Sequence, residues 1–179
     1  VCTTPDQKLI ILDVEQERIA SLTAALEAED LQVHPSTFRR QTMACTGIEY
    51  CKLAIVETKG RASSMIDELE KRLPDFTEPL TINLNGCPNS CARIQVADIG
   101  FKGQLVVNDR GEQVEGYQVH LGGHMGLDAS FGRKVRGLKT TADDMPDYVE
   151  RVLRRFQEQK EDGESFASWV GRAEDTDLK

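Results

Sequence analysis

No apolar run in the 179 residues approaches the roughly 18 needed to cross a membrane as a helix. The opening Val-Cys-Thr-Thr-Pro-Asp-Gln lacks the basic and apolar regions of a secretory signal, so no membrane partner and a cytoplasmic location are expected. Positive charge is also scarce: 22 Lys and Arg stand against 30 Asp and Glu, a net of -8. That balance argues against nucleic acid as a partner, because a polyanion needs clustered bases. Only three histidines are present, and no Ser-His-Asp set, carboxylate pair or two-histidine metal pattern stands out. Any chemistry here would therefore belong to a cofactor, with the protein supplying position and electrostatics. Gly122, Gly123 and Gly126 surround His124 in a glycine-rich loop. They do not make the dinucleotide fingerprint, and no nucleotide site is read there.

What remains is an ordinary globular composition, 39% hydrophobic and 29% charged, large enough for one core or one core with a small appendage. The charge is unevenly placed. Residues 157–179 carry seven acids and three bases, whereas 37–60 carry four bases and two acids. A basic neighbourhood there suits a polyanionic cofactor or an acidic electron donor.

That neighbourhood holds the first of two cysteine pairs. Cys45 and Cys51 lie in Ala-Cys-Thr-Gly-Ile-Glu-Tyr-Cys, Cys87 and Cys91 in Gly-Cys-Pro-Asn-Ser-Cys-Ala-Arg. Four thiolates in two loops meet the need of a 4Fe-4S cube, one per iron corner. The spacings match neither common zinc pattern, although a structural zinc on the same four thiolates stays open. It would give a colourless protein whose folding depends on the metal. A plain iron-sulfur carrier is a further alternative. Two disulfides would suit a secreted protein better than this chain. Cys2 is left over as a free thiol.

Periodicity predicts a strand at Lys8 to Leu12, then a helix capped by Asp13 with Ile19, Leu22 and Leu26 on one face, then an extended segment Leu31 to His34. Phe38 to Thr46 is expected to deliver the first cysteines from a loop into a helix. Met65, Ile66, Leu69 and Leu73 form a helical stripe ended by Pro74. Leu80, Ile82 and Leu84 alternate with polar residues as a strand with one buried face, running into an Asn85-Gly86 turn. Strands are expected at Ile94 to Ile99, Leu105 to Asn108 and Tyr117 to Leu121, with a turn at Asp109 to Gly111. Thr141 and Asp144 open a last helix with the stripe Tyr148, Val149, Val152, Leu153 and Phe156. Phe166 and Trp169 are the only large anchors in an acidic, helical or partly ordered tail.

The cysteine motifs carry a resemblance. Thr42-Met43-Ala44-Cys45-Thr46-Gly47, Cys51-Lys52-Leu53-Ala54, Asn85-Gly86-Cys87-Pro88-Asn89-Ser90-Cys91, Val96 to Phe101 and His120-Leu121-Gly122-Gly123 together resemble the C-terminal half of the siroheme-dependent sulfite and nitrite reductases. Cys-Lys-Leu-Ala after the first pair is most like the bacterial ferredoxin-dependent sulfite reductases. The resemblance covers nearly the whole chain. It implies an α+β fold, a mixed or antiparallel sheet with flanking helices, preceded by a small ferredoxin-like strand-helix-strand unit. Residues 1–36 would be that ferredoxin-like segment, 37–160 the siroheme- and cluster-binding domain, and 161–179 an acidic tail.

The resemblance further implies six-electron reduction of sulfite to sulfide, or of nitrite to ammonia, with ferredoxin as donor. The cofactors would be a 4Fe-4S cluster on Cys45, Cys51, Cys87 and Cys91 and a siroheme whose iron shares the Cys91 sulfur. Such sharing couples the two groups into one redox unit. Ala44 and Thr46, either side of Cys45, would lie at the cofactor. The residues that hold the small anion substrate would come mainly from an N-terminal half outside these 179 residues. Asn89 is read either as a donor to siroheme carboxylate or cluster sulfur, or as a turn residue. Arg40, and with it Arg39, Lys52 and Arg93, is read either as a partner of siroheme carboxylates or as part of a solvated charged face. His124 is read as a solvent-facing loop residue.

Overall fold

The computed structural model describes residues 1–127 and 129–179. Its centre is a five-stranded sheet in the order β3 (Thr42–Ala44), β4 (Ile82–Asn85), β5 (Ile99–Val107), β6 (Gln113–Leu121) and β7 (Arg133–Thr141). The first three strands run parallel, and β5, β6 and β7 are antiparallel neighbours. Parallel neighbours need long crossovers. One crossover is the helix α3 (Lys59–Arg72) between β3 and β4; the other, between β4 and β5, is the loop that carries the second cysteine pair. The α+β architecture with a mixed sheet is as expected.

One face of the sheet is apolar and packs on helices. Leu84, Phe101, Tyr117 and Val119 share a core with Met65 and Leu69 of α3 and with Val149, Val152 and Leu153 of α4 (Met145–Gln159). Phe101 meets the rings of Tyr117 and Tyr148 edge-on, at 5.7 and 6.5 Å between centroids. At the start of α4 the Thr141 hydroxyl accepts the Asp144 N–H at 3.1 Å. The acidic tail is folded: α5 (Phe166–Arg172) sets Phe166 and Trp169 against Phe156.

Several local expectations are corrected. β4 is buried on both faces, because the second cysteine loop crosses the face opposite the helices. Ile94–Val96 in that loop is a 3-10 turn rather than a strand, pressed so closely on the sheet that a Cβ at Gly100 would lie 2.1 Å from the Ile94 carbonyl oxygen. The opening unit is a hairpin of β1 (Cys2–Thr3) and β2 (Leu9–Ile10), followed by a 3-10 turn Gln16–Arg18 and α1 (Ile19–Glu27). Leu31 to His34 forms no strand. Asp13 lies at φ 58° and caps nothing. Before β3, α2 (Thr37–Gln41) is short, so Cys45 leaves a strand and not a helix. No helix among the described residues is long and apolar enough to cross a membrane.

Candidate metal centre

The two cysteine pairs meet because β3 and β4 are adjacent and parallel, so their C-terminal ends lie side by side. Cys45 follows β3 directly, its N–H donating to the Leu84 carbonyl at 3.0 Å. Cys87 follows β4 by two residues. The first loop then folds onto the second: Ile55 and Val56 both donate N–H to the Gly86 carbonyl, at 2.7 and 3.3 Å. Glycine permits this crossing. A Cβ at Gly86 would stand 2.9 Å from the Val56 carbonyl oxygen, and one at Gly103 of β5 would stand 2.7 Å from Gly86 backbone.

Each cysteine has a distinct setting. Cys45 is half-buried, and its Sγ accepts the Gly86 N–H at 3.1 Å. Cys51 is half-buried at the end of a turn in which its N–H donates to the Gly47 carbonyl at 3.0 Å. Cys87 is buried and Cys91 exposed. Beside Cys91 both Ser90 and Arg93 adopt left-handed backbone, φ 58° and 53°, and the loop is held from below by the Asn85 Oδ1, which accepts the Ala92 N–H at 2.7 Å.

The donor set fits an iron-sulfur cluster on two observations. A backbone N–H already points at a cysteine sulfur, the hydrogen bond that tunes such clusters. The Asn85 Nδ2, on the same amide that holds the Cys91 loop, is buried without an acceptor; a buried donor of this kind calls for a partner. Among the described residues no three His, Cys, Asp or Glu side chains gather tightly enough to hold a single ion.

A cleft of about 830 Å³ opens beside the second loop, walled by Ser90, Arg93, Gln95, Val96, His124 and Phe131. Its size is that of small-molecule and cofactor pockets, roughly 300–1,000 Å³. His124 is half-buried in this wall, its backbone paired with Ser130. The glycines before it serve protein packing: Cβ atoms at Gly122 and Gly123 would run into Val170 and the Gln95 carbonyl.

The other sequence candidates separate. Ala44 is buried, Thr46 and Asn89 are exposed in the cysteine loops, and Arg40 is exposed in α2, ahead of β3 and not in either loop. Arg40 makes no ion pair among the described residues, but Arg39 is taken by Glu70 and Asp67, both at 2.7 Å. The hydrogen bond to Glu70 leads in keeping its guanidinium firmly protonated. Arg93 reaches Asp6 at 2.7 Å. Structure adds residues that periodicity did not single out: Thr58, whose hydroxyl donates to the Cys45 carbonyl; Gln7, which binds Ala44; and Asn85. Only Asn85 left a signal, as a polar residue ending an apolar strand just before Gly86.

Residues 36–173 match the family described as the nitrite and sulphite reductase 4Fe-4S domain. The chain belongs to this family. It is 55% identical over 180 residues to the sulfite reductase [ferredoxin] of Mycobacterium tuberculosis, covering 98% of this chain and 32% of that protein. The ferredoxin--nitrite reductase of Synechococcus elongatus is 38% identical over 150 residues, 84% of this chain and 29% of that protein. The solved structure of the Mycobacterium tuberculosis NirA protein superposes with a TM-score of 0.94 at 55% identity, covering 99% of this chain and 33% of that one. The chain thus spans about a third of the length of the relatives it matches. Membership implies a 4Fe-4S cluster and siroheme as cofactors.

Proposed function

We propose that this chain is the cluster-bearing portion of a ferredoxin-dependent assimilatory sulfite reductase that reduces sulfite to sulfide. The observation that carries the reading is the presentation of four thiols by two interlocked loops at neighbouring parallel strand ends. The higher identity to sulfite than to nitrite reductases favours sulfite.

In this reading Cys45, Cys51, Cys87 and Cys91 would hold the cluster, and Cys91, which is exposed, would serve the siroheme as well. Siroheme supplies the site where the anion binds and takes up electrons. The protein does the positioning. Gly86 directs its N–H at the Cys45 sulfur and favours the more negative, thiolate form. Arg40 offers an unpaired guanidinium to siroheme carboxylates, and Asn89 an amide donor beside Cys91. Ala44 and Thr46 flank Cys45 at the same edge. Residues 1–36 act as a linking segment, 37–160 as the cofactor domain and 161–179 as its tail. Ferredoxin donates the electrons, and a further portion of the enzyme supplies the groups that hold the anion, so the 179 residues alone should not turn over sulfite.

The test is iron and labile-sulfide content with a visible spectrum on full-length protein purified without oxygen, followed by kcat/KM for sulfite and nitrite. Four irons and sulfides per chain are the content of one such cluster. Cys91→Ser should remove the siroheme spectrum, while Cys2→Ser leaves it intact. Zinc in place of iron would sink the proposal, and a higher kcat/KM for nitrite would replace sulfite by nitrite as substrate.

A further inference from the structure

β3 is an edge strand, and the outward-facing groups of its last residue would ordinarily meet water or another strand. Here they meet a side chain. The Gln7 amide accepts the Ala44 N–H at 3.2 Å and donates to the Ala44 carbonyl at 2.7 Å, the two bonds that a neighbouring strand would supply. Lys8 Nζ donates to the Thr42 carbonyl at 3.1 Å. Gln7 itself stands at φ 60°, a costly conformation for a residue with a Cβ. The turn around it fixes that conformation: Thr4 N–H donates to the Lys8 carbonyl at 2.9 Å, Gln7 N–H to the Thr4 carbonyl at 3.2 Å, and the Thr4 hydroxyl accepts the Lys8 N–H at 3.0 Å.

The other side of the same turn holds the second cysteine loop. One Arg93 nitrogen donates to the Pro5 carbonyl at 3.0 Å and to the Asp6 carboxylate at 2.7 Å, and lies 3.7 Å from the Met43 sulfur. Arg93 follows Cys91 by two residues, and Ala44 precedes Cys45 by one. A single five-residue turn therefore grips the strand that delivers the first cysteine and the loop that delivers the last. Left-handed backbone at Ser90 and Arg93 persists only where surrounding bonds over-determine it. Arg93 supplies such bonds from outside the loop.

We propose that the turn Thr4–Lys8 is a clasp that sets the position of Cys91 relative to Cys45, with Gln7 and Arg93 as positioning residues for the cluster. The inference rests on the reading of both cysteines as ligands of one cluster. A turn that merely shielded the sheet edge would add stability and leave the cluster's electronic properties unchanged. A clasp changes both.

The experiment uses the full-length holoenzyme with Gln7→Ala, Gln7→Asn, Arg93→Ala, Arg93→Lys and the double variant Gln7→Ala/Arg93→Ala. It reads the electron paramagnetic resonance spectrum of the reduced cluster, its midpoint potential, the half-time of labile-sulfide loss in air and the far-UV melting temperature. Gln7→Ala and Arg93→Ala are each expected to speed sulfide loss at least threefold and to broaden or shift the cluster signal. The double variant should be little worse than the more damaging single one, because both bonds act through one turn. Arg93→Lys should restore part of the effect. Gln7→Asn, whose amide is one methylene too short, provides the milder variant if Gln7→Ala does not fold. Unchanged spectra, potential and sulfide loss, with only a lower melting temperature, would overturn the clasp. Wild-type enzyme without labile sulfide would instead refute the cluster reading beneath it.

Discussion

Thr58 donates its hydroxyl hydrogen to the carbonyl oxygen of Cys45 at 2.6 Å, and the Thr58 hydroxyl oxygen lies 3.9 Å from the Cys45 sulfur. Thr58 stands at the N-terminus of α3, where a threonine would ordinarily cap the helix. Its hydroxyl is diverted to the cysteine strand, and the Glu57 carboxylate takes over, accepting the N–H groups of Gly60 and Arg61 at 2.9 and 2.8 Å. The helix start and the first cysteine are thereby one unit.

Thr58 is fully buried, so Thr58→Val keeps its shape and strands the Cys45 carbonyl. The expected cost is about 1–3 kcal/mol, the penalty for an unsatisfied buried polar group. Thr58→Ser should recover most of it. Urea midpoints of the full-length protein check the order Thr, Ser, Val; equal midpoints for Val and Thr would show that the bond contributes nothing.

The crossing of the two cysteine loops should tolerate no Cβ. In Gly103→Ala the new carbon would meet Val56 Cγ2 at 2.5 Å and the Gly86 carbonyl oxygen at 2.7 Å. Backbone at the second loop cannot yield as a flexible side chain would, and overpacking typically costs about 1–3 kcal/mol. Gly111→Ala, where nothing lies within 4 Å but φ is +78°, serves as the comparison. Iron content per chain should fall in Gly103→Ala and hold in Gly111→Ala.

Much of this arrangement was legible from residue pattern, and the failures have physical causes. The α3 and α4 stripes are periodic because each helix buries one face. β7 carries no such pattern, because a register shift against β6 between Gln118 and His120 interrupts it. Its buried positions Val135, Leu138 and Thr140 therefore break the alternation that marks a strand. Ile94 to Val96 reads as strand but folds as a 3-10 turn, because an apolar run of that length is equally consistent with a buried loop pressed on a sheet. The cysteine ligands announce themselves by type and spacing, whereas Gln7 and Thr58 act through tertiary bonds 37 and 13 residues away. Sequence periodicity carries no trace of such contacts.

His120 sits on the sheet face opposite the helices, across from Lys134 on β7. Burial first, then the charges of Lys102 and Lys134, hold its imidazolium form at a pKa below the usual 6.5. Well above pH 6.5 the ring is neutral in both folded and unfolded chains, and its contribution is complete. As pH falls below 6.5 the unfolded chain takes up a proton that the folded chain resists, so stability declines until the folded pKa is passed. The slope from this one group cannot exceed about 1.4 kcal/mol per pH unit. His120→Gln should flatten the loss between pH 7.5 and 5.5, and Lys102→Gln should reduce it; an unaltered slope in His120→Gln would assign the acid sensitivity elsewhere.

The tail offers a test of its own, because Trp169 is the only tryptophan in these 179 residues and is fully buried. Its ring packs on Phe156 of α4 and Phe166 of α5, with centroids 5.6 Å from each, and its indole N–H donates to Gln159 at 3.1 Å. Beyond it the Leu178 side chain is buried and its carbonyl accepts the Tyr148 hydroxyl at 3.1 Å. These contacts bury tail residues in the core cluster shared with the sheet, despite the tail's acidic composition. Tail and sheet should therefore unfold together: tryptophan emission and far-UV ellipticity should change at the same urea concentration. Trp169→Ala removes the largest anchor and should cost about 3–5 kcal/mol, the usual range for emptying a buried aromatic site. If emission shifts at lower urea than ellipticity, the last nineteen or so residues form a separable flap, and Trp169→Ala should then leave the main transition in place.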